Sequence, residues 1–332
     1  MFKTKFFKKS KILFAAIAIL LTLAVSASAV DALIPLGRTT GINLSSDGAM
    51  VISHSENINP NPAKSAGIAP GDVILRVGER KIFSNSDLVD EVLKSGGNPL
   101  VFEYSRNGKT HTATVIPTKT DDGYAVGIRV RDSIAGIGTL TYLNPEDNSY
   151  GALGHGISET ETNIVIPVRQ GYLMPSSVSG VKKGRAGEPG ELQGTFHLDS
   201  PIATIEKNSV CGIFGNITDS SYFENTNAIP LAKRAEIKRG PAKILSNIEG
   251  EEVCEYDIEI IGIYFDGEKT KNMLIRATDP RLLEKTGGIV CGMSGSPIIQ
   301  NGKLVGAVTH VLVNDPTKGY GIFIENMLDV AG

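Results

Sequence analysis

Short runs of alternating hydrophobic and polar residues dominate residues 30–118, and alternation of this kind is typical of β-strands. The segments "GINL", "AMVISHS" and "DVILRVGERKI" predict three strands. The segment "SNSDLVDEVLKSGG" has the 3.6-residue period of a helix, with a capping box formed by Ser84 and Asp87. A hairpin is predicted in "PLVFEYSRNGKTHTATVIP", with its turn at Asn107 and Gly108.

Residues 119–332 contain almost only strand patterns, such as "GYAVGIRVR", "IGTLTYL", "YDIEIIGIYF", "KLVGAVTHVLV" and "YGIFIENML". Gly, Asn and Asp turns separate these strands, and no long helix is evident. A segment of this length can form two small β-barrels packed together. The chain is therefore predicted to be mainly β.

The first 29 residues have the pattern of an export signal. The lysine-rich start "MFKTKFFKKSK" is followed by the uncharged run "ILFAAIAILLTLAV" and the small residues "SASA". We expect this segment to direct the protein across the cytoplasmic membrane. The pattern leaves open whether it is cleaved or kept as a membrane anchor.

Composition excludes several classes of function. The 332-residue chain has a formal net charge of -3, so it lacks the basic surface that nucleic-acid binding requires. Its five histidines are scattered without the spacing of metal ligands, and no phosphate-binding glycine pattern is present. We expect neither a metal nor a cofactor. The three cysteines are too few for a disulfide framework.

The segment "CGMSGSP" near the C-terminus is the strongest indication of chemistry. It resembles the G-x-S-G-G/S-P turn of chymotrypsin-like serine peptidases. By position Ser294 is the predicted nucleophile, and the backbone N–H groups of Gly292 and Ser294 are the predicted oxyanion hole. Ser296 is the alternative serine. Cys291 is an alternative thiol nucleophile, although a small buried apolar role is the better interpretation of that residue.

A serine nucleophile needs a general base within hydrogen-bond reach. His155 lies between small residues in "YGALGHGIS", which favours an accessible ring. His310 and His197 lie in strand patterns, where a structural histidine is the simpler interpretation. We therefore predict that His155 is the base.

The first folded segment resembles a PDZ domain, most specifically in "PAKSAGIAPGD". The resemblance implies that an extended peptide adds as a strand beside "GINL". Backbone amides of the loop "LGRTTG" would bind the C-terminal carboxylate of that peptide. The alternatives are that the domain binds an internal peptide segment, or that it has a purely structural role. The groove residues would be Gly41, Ile42, Asn43 and Leu44.

A PDZ segment followed by "GALGHGI" and by "ATDPRLLEKTGGIV" leading into "GMSGSPI" resembles the SpoIVB peptidase family, the stage IV sporulation serine peptidases. The resemblance implies a triad of His155, Asp279 and Ser294, with self-cleavage and then cleavage of a membrane-bound regulator of an intramembrane protease. It also implies a location in the space between the membranes around the forespore. Lesser candidates for the triad acid are Asp147, Asp199 and Asp257.

We therefore predict a signal or anchor at residues 1–29, a PDZ domain at 30–118 and a chymotrypsin-like double-barrel serine peptidase at 119–332. The competing hypothesis is a PDZ adaptor carried on a protease-like barrel that has lost its activity.

Overall fold

The computed structural model describes residues 30–160, 162–196, 199–219 and 227–331. The predicted export segment and His197 lie outside the described residues. Within those ranges, no helix has the length and apolar character needed to cross a membrane.

The described chain is mainly β, as predicted. Its N-terminal strands are β1 Ala32–Pro35, β2 Thr39–His54, β3 Val73–Val77, β4 Arg80–Lys81, β5 Leu100–Arg106, β6 Lys109–Val115, β7 Thr118–Thr120, β8 Gly123–Ala125, β9 Ile128–Leu143, β10 Ser149–Ala152 and β11 Val168–Lys182. The later strands are β12 Glu191–Phe196, β13 Ala203–Thr204, β14 Lys207–Ser209, β15 Gly212–Asn216, β16 Ile229–Pro230, β17 Gly240–Ser246, β18 Cys254–Ile263, β19 Met273–Ala277, β20 Pro297–Gln300, β21 Lys303–Val311 and β22 Lys318–Phe323. The helices are α1 Pro62–Ser65, α2 Asn85–Lys94, α3 Pro280–Thr286 and α4 Ile324–Ala331.

A first barrel is formed by the neighbouring strands β10, β9, β2, β11 and β13, together with β15. Strand β15 pairs with β10, and a bridge between Ala203 and Ile217 connects its far end back to β13. Leu44, Leu140 and Leu173 are fully buried in the core of this barrel.

The second barrel is closed, in the strand order β17, β18, β19, β22, β21 and β20. Its core includes Ile244, Ile260 and Val308. The sequence pattern "YGIFIENML" predicts one strand, but strand β22 ends at Phe323 and the remaining residues begin α4. The two barrels agree with the predicted double-barrel class.

The PDZ segment is inserted into the first barrel instead of preceding it. Strand β2 leaves the barrel near Ser45 and enters the PDZ segment, and β9 returns beside it, so that Ser45 faces Ser133. The predicted strands "GINL" and "AMVISHS" are therefore one strand with an irregular register between Ser45 and Met50. Because residues 32–45 pair with strands beyond residue 119, the predicted division at 118/119 does not separate two independent sheets.

Local signals within the inserted segment are confirmed. Ser84 and Asp87 form the capping box of α2. Asn107 and Gly108 both have positive φ between β5 and β6, as a tight hairpin turn requires. The core of this segment also contains Val126, and Ile128 and Val130 of β9 pack against it.

The insertion predicts which fragment folds independently. Residues 46–133 contain both strand ends and the complete core, whereas residues 31–118 lack the β9 strand that pairs with Met50–His54. We expect the 46–133 fragment to unfold cooperatively, and the 31–118 fragment to give poor amide dispersion by NMR. A cooperative transition in 31–118 with none in 46–133 would contradict the insertion.

Candidate active site

Ser294 lies in a turn between α3 and β20, between the two barrels. Helix α3 ends at Gly287, which has the left-handed conformation typical of a helix C-terminus. Met293 is fully buried in the second core and anchors the turn. A Cβ at Gly295 would lie 1.9 Å from the Thr139 carbonyl oxygen, so this position requires glycine. The turn is therefore held rigidly against β9.

The two predicted oxyanion donors are the exceptions in the hydrogen bonding of this turn. The N–H groups of Cys291, Met293 and Gly295 donate to the carbonyl oxygens of Gly190, Val290 and Val308, respectively. In the part of the chain that the structure describes, the N–H groups of Gly292 and Ser294 donate to no protein acceptor. Both remain available to a ligand.

The hydroxyl of Ser294 donates to the carbonyl oxygen of Thr309 at 2.7 Å. Its hydrogen bond in this structure is therefore not to a histidine. Ser296 is completely buried, and its hydroxyl donates to that of Ser246 at 3.2 Å. This burial leaves Ser294 as the accessible serine of the motif.

His155 follows β10 after two residues with positive φ, Leu153 and Gly154. The Nδ1 atom of His155 lies 2.9 Å from the carbonyl oxygen of Gly156, which accepts a hydrogen bond when Nδ1 is protonated. In that tautomer Nε2 carries the lone pair. Burial lowers the pKa of His155, and the Gly156 carbonyl opposes the shift. The imidazole is therefore neutral at pH 7.

The imidazole of His310, predicted to be only structural, lies beside that of His155, with ring centroids 5.1 Å apart. Burial, followed by the effect of His155, lowers the pKa of His310 to about 4. Its Nδ1 is buried and has no hydrogen-bond partner among the described residues. His310 directly follows Thr309, whose carbonyl binds Ser294, so both rings belong to the same site.

Asp279 makes a different set of contacts from those of a triad acid. Its carboxylate caps α3 by accepting from the Arg281 N–H at 2.9 Å, and it forms an ion pair with the Arg281 guanidinium at 2.8 Å. It also accepts from the N–H of Asp257 at 3.3 Å. The structure does not bring it into hydrogen-bond contact with His155, and its triad role stays a prediction.

The lesser candidates are also away from the imidazole. Asp147 accepts from the N–H of Ser149, and Asp199 and Asp257 are exposed. Within the described ranges, no carboxylate accepts a hydrogen bond from His155. The same ranges hold no group of His, Cys, Asp and Glu placed to bind a metal ion.

Cys291 is exposed, which corrects the expected burial. Although the residue is exposed, neighbouring protein atoms partly desolvate its sulfur, and this desolvation is the main cause that raises the pKa of the thiol. The negative charge of Glu191 raises it further. A raised pKa reduces the thiolate fraction and disfavours a cysteine nucleophile.

The predicted PDZ groove is wrong in its location. Residues Gly41–Leu44 pair with β9 on one side and with β11 on the other, so neither edge can accept a peptide strand. A Cβ at Gly41 would lie 2.2 Å from the ring of Phe196. A tryptophan at position 41 would therefore disrupt the barrel instead of blocking a groove.

Thr139 of β9 is a site residue that sequence reasoning missed. Its N–H donates to the carbonyl oxygen of Ser294 at 3.0 Å, and its own carbonyl accepts from Leu153 N–H at 3.1 Å. Its hydroxyl donates to the carbonyl oxygen of Gly292 at 2.7 Å. The segment "IGTLTYL" indicates a buried strand, but nothing in it indicates these partners.

Two β-barrels with a serine turn and a histidine between them, and a PDZ domain inserted in the first barrel, define a serine peptidase with an accessory domain. A family model described as SpoIVB peptidase S55 matches residues 122–328, and a PDZ domain model matches residues 38–116. The chain belongs to the SpoIVB peptidase S55 family.

The curated relatives match only in part. A putative zinc metalloprotease of Bartonella henselae is 32% identical over 83 residues, which are 24% of this chain and 23% of that protein. A putative zinc metalloprotease of Lactococcus lactis is 42% identical over 67 residues, 20% of this chain and 16% of that protein. The chain thus spans less than a quarter of the length of these relatives.

Solved structures show low overall similarity. The active form of the Rv3671c protease from M. tuberculosis is 18% identical, with 60% of this chain and 75% of that chain covered and a TM-score of 0.36. The PDZ domain of the SdrC-like protein from Listeria monocytogenes is 22% identical, with 25% and 87% covered and a TM-score of 0.22. The fold therefore rests on the strand pairing of this chain.

Asp279→Asn should destabilise the protein. The hydrogen bond from the Arg281 side chain is the largest of the effects that lower the pKa of Asp279 to about 2. The carboxylate therefore stabilises the fold fully above about pH 4, and this stabilisation is lost as the pH falls toward 2. Because Arg281 is mostly exposed, we expect a loss of only about 1–2 kcal/mol at pH 7. Urea unfolding at pH 7 and pH 3, in a Ser294→Ala background, measures the change.

Glu249→Gln is the matched control, since Glu249 forms an exposed ion pair with Lys285. We expect it to change stability by less than about 0.5 kcal/mol. An Asp279→Asn effect equal to the control, or one that persists undiminished at pH 3, would exclude this role of the carboxylate.

Proposed function

We propose that this protein is an exported serine endopeptidase that cleaves itself and then a membrane-associated regulatory protein in sporulation signalling. Family membership supports the peptidase activity. The lysine-rich and apolar pattern of residues 1–29 supports export, with secretion and membrane anchoring both open. The forespore intermembrane space is the proposed location.

In the proposed mechanism, the Ser294 hydroxyl attacks the scissile carbonyl carbon and Nε2 of His155 accepts its proton. The Gly156 carbonyl favours the tautomer that has its lone pair on Nε2. Before attack, Ser294 must exchange its hydrogen bond to Thr309 for one to the imidazole. His155 then returns the proton to the leaving amine, and water hydrolyses the acyl-enzyme by the same steps.

The observation that carries the proposal is the pair of free amides beside Ser294. A tetrahedral intermediate develops negative charge on the former carbonyl oxygen, and preorganised N–H donors lower the free energy of that state. Gly292 and Ser294 supply two such donors, while the other amides of the turn are already bonded. Asp279 is the proposed triad acid.

Self-cleavage followed on a gel tests these assignments. Ser294→Ala and His155→Ala should each abolish cleavage, and the double variant should be no slower than either alone, because both remove the same proton transfer. Ser296→Ala should keep most of the activity, since its hydroxyl is buried against Ser246. If Asp279 orients the imidazole, Asp279→Asn should reduce the rate by up to ~10⁴-fold.

Each result has one interpretation. Full activity in Ser294→Ala would reject the serine mechanism. Full activity in Asp279→Asn, measured at a temperature where this variant is folded, would remove only Asp279 from the proposed triad. Failure of the wild type to react with a fluorophosphonate probe would favour the inactive PDZ adaptor.

A peptide partner for the PDZ domain is part of the proposal, but on a different strand from the one expected. Residues 128–132 of β9 pair with β2 on one side, and no described strand pairs with their other edge. Helix α2 contacts this edge at Asp132, whose carboxylate accepts from the Asn85 N–H at 2.8 Å, and Leu93 at the other end of the helix lies against Gly123 of β8. Val89 and Leu93 of α2 are 45% and 43% exposed.

The start of β9 is suited to binding a chain terminus. The carbonyl oxygen of Gly127 accepts from Ser55 and Asn61, so across the trans peptide the N–H of Ile128 points toward the open edge. The N–H of Gly127 has no acceptor in the described part of the chain. We propose that these amides bind the C-terminal carboxylate of an extended peptide whose last side chain is apolar.

Fluorescence polarisation with the full chain carrying Ser294→Ala tests this site. The probe is a fluorescein-labelled decapeptide that ends in leucine, with its C-terminal amide as the comparison. Leu93→Glu and amidation of the peptide should each weaken binding about tenfold or more. Val101→Glu is the control, because Val101 is 53% exposed on β5, away from this edge. Equal binding of acid and amide, or of Leu93→Glu and Val101→Glu, would contradict the proposal.

A further inference from the structure

The catalytic turn depends on the orientation of four consecutive peptide groups between Cys291 and Gly295. The Cys291 carbonyl accepts from Leu192 N–H at 2.9 Å, and that of Met293 accepts from Ser296 N–H at 2.9 Å. Because trans peptide groups point their N–H opposite to their C=O, these bonds direct the N–H groups of Gly292 and Ser294 away from Leu192 and Ser296. The first and third of these peptide groups therefore aim the oxyanion donors.

The peptide group between Gly292 and Met293 joins these two donors. On its N–H side it is held by Met293 N–H donating to Val290 at 3.1 Å. On its carbonyl side it is held by the Thr139 hydroxyl at 2.7 Å. Gly292 itself offers little resistance to rotation of this peptide group, since it has no Cβ and its φ is 95°. Two hydrogen bonds, one of them from a side chain, therefore fix the angle between the donors.

Thr139 provides the only side-chain hydrogen bond to the backbone of this turn among the described residues. Its side chain is fully buried and Gly292 is half-buried, and loss of the hydroxyl would leave the Gly292 carbonyl without a hydrogen-bond donor among the described residues. The Thr139 backbone also binds Ser294 and Leu153, and a side-chain substitution retains both of those bonds. The hydroxyl can thus be tested separately from the strand.

We propose that Thr139 is a positioning residue for the oxyanion hole: its hydroxyl fixes the Gly292–Met293 peptide group so that the N–H groups of Gly292 and Ser294 converge on one oxygen. Thr139 does not touch the substrate, and it acts through the turn. The proposal rests on the proposed peptidase function for its kinetic consequence, but not for the structural one.

The chain provides a matched control in Thr141, two residues further along the same strand. Thr141 is also fully buried, and its hydroxyl has no hydrogen-bond partner in the described part of the chain. Thr139→Val and Thr141→Val therefore make the same chemical change at equal burial. Thr139→Ser restores a hydroxyl without the methyl group.

The kinetic arm measures turnover of fluorescein-labelled casein and the labelling rate of Ser294 by an alkyl fluorophosphonate. We expect Thr139→Val to lower kcat about 10- to 100-fold with little change in KM, because a displaced oxyanion donor affects mainly the transition state. The labelling rate should fall with kcat. Thr139→Ser should recover most of both rates, and Thr141→Val should match the wild type.

The structural arm needs no activity. Amide hydrogen exchange by NMR, in the Ser294→Ala background, should show faster exchange at Met293 in Thr139→Val than in Thr141→Val, because the released peptide group weakens the bond to Val290. Faster exchange there, even if the wild type proves inactive, supports the positioning role and rejects only the peptidase proposal. If the Met293 amide of Thr139→Val exchanges no faster than in Thr141→Val, the inference is overturned. Labelling of Ser294 in Thr139→Val at the wild-type rate would overturn it as well.

Discussion

The candidate active site depends on one residue of β9 that contacts both of the segments proposed to be catalytic. Thr139 donates to the carbonyls of Ser294 and Gly292 and accepts from Leu153, two residues before His155. Gly295 lacks a side chain at the point where the turn approaches this strand. The first barrel therefore positions the candidate nucleophile, Ser294, through backbone contacts, and both cores must be intact for the site to form.

The same strand connects the site to the PDZ domain. Strand β9 passes from the open edge at residues 128–132 to Thr139 without interruption, and β2 accompanies it. A second contact lies beside it, where the Arg131 guanidinium is 3.8 Å from the buried carboxylate of Glu159, in the segment that follows His155. Insertion between two barrel strands thus gives the accessory domain two short connections to the candidate catalytic residues, which an N-terminal domain on a linker would lack.

Electrostatics at the site differ from a simple His–Asp pair. A backbone carbonyl selects the tautomer of His155, and burial favours its neutral form. The adjacent His310 is also neutral near pH 7, so the two rings pack without charge repulsion. Asp279, meanwhile, stabilises the helix that leads into the nucleophile turn, and its ion pair with Arg281 satisfies the carboxylate there.

Sequence alone determined the features that depend on neighbouring residues. Alternation predicted a mainly β chain, Ser84 and Asp87 predicted the cap of α2, and the glycines around Ser294 predicted a tight turn with free amides. Only the tertiary structure decided which distant segments meet. Thr139 is 153 residues from Gly292, and the same alternating pattern in Gly41–Leu44 suits an open edge or a strand paired on both sides. The two-residue period of a strand pattern shows which face of the strand is buried, but it does not show which strand lies alongside. Neighbouring strands pair through backbone hydrogen bonds, and these do not depend on the identity of the side chains.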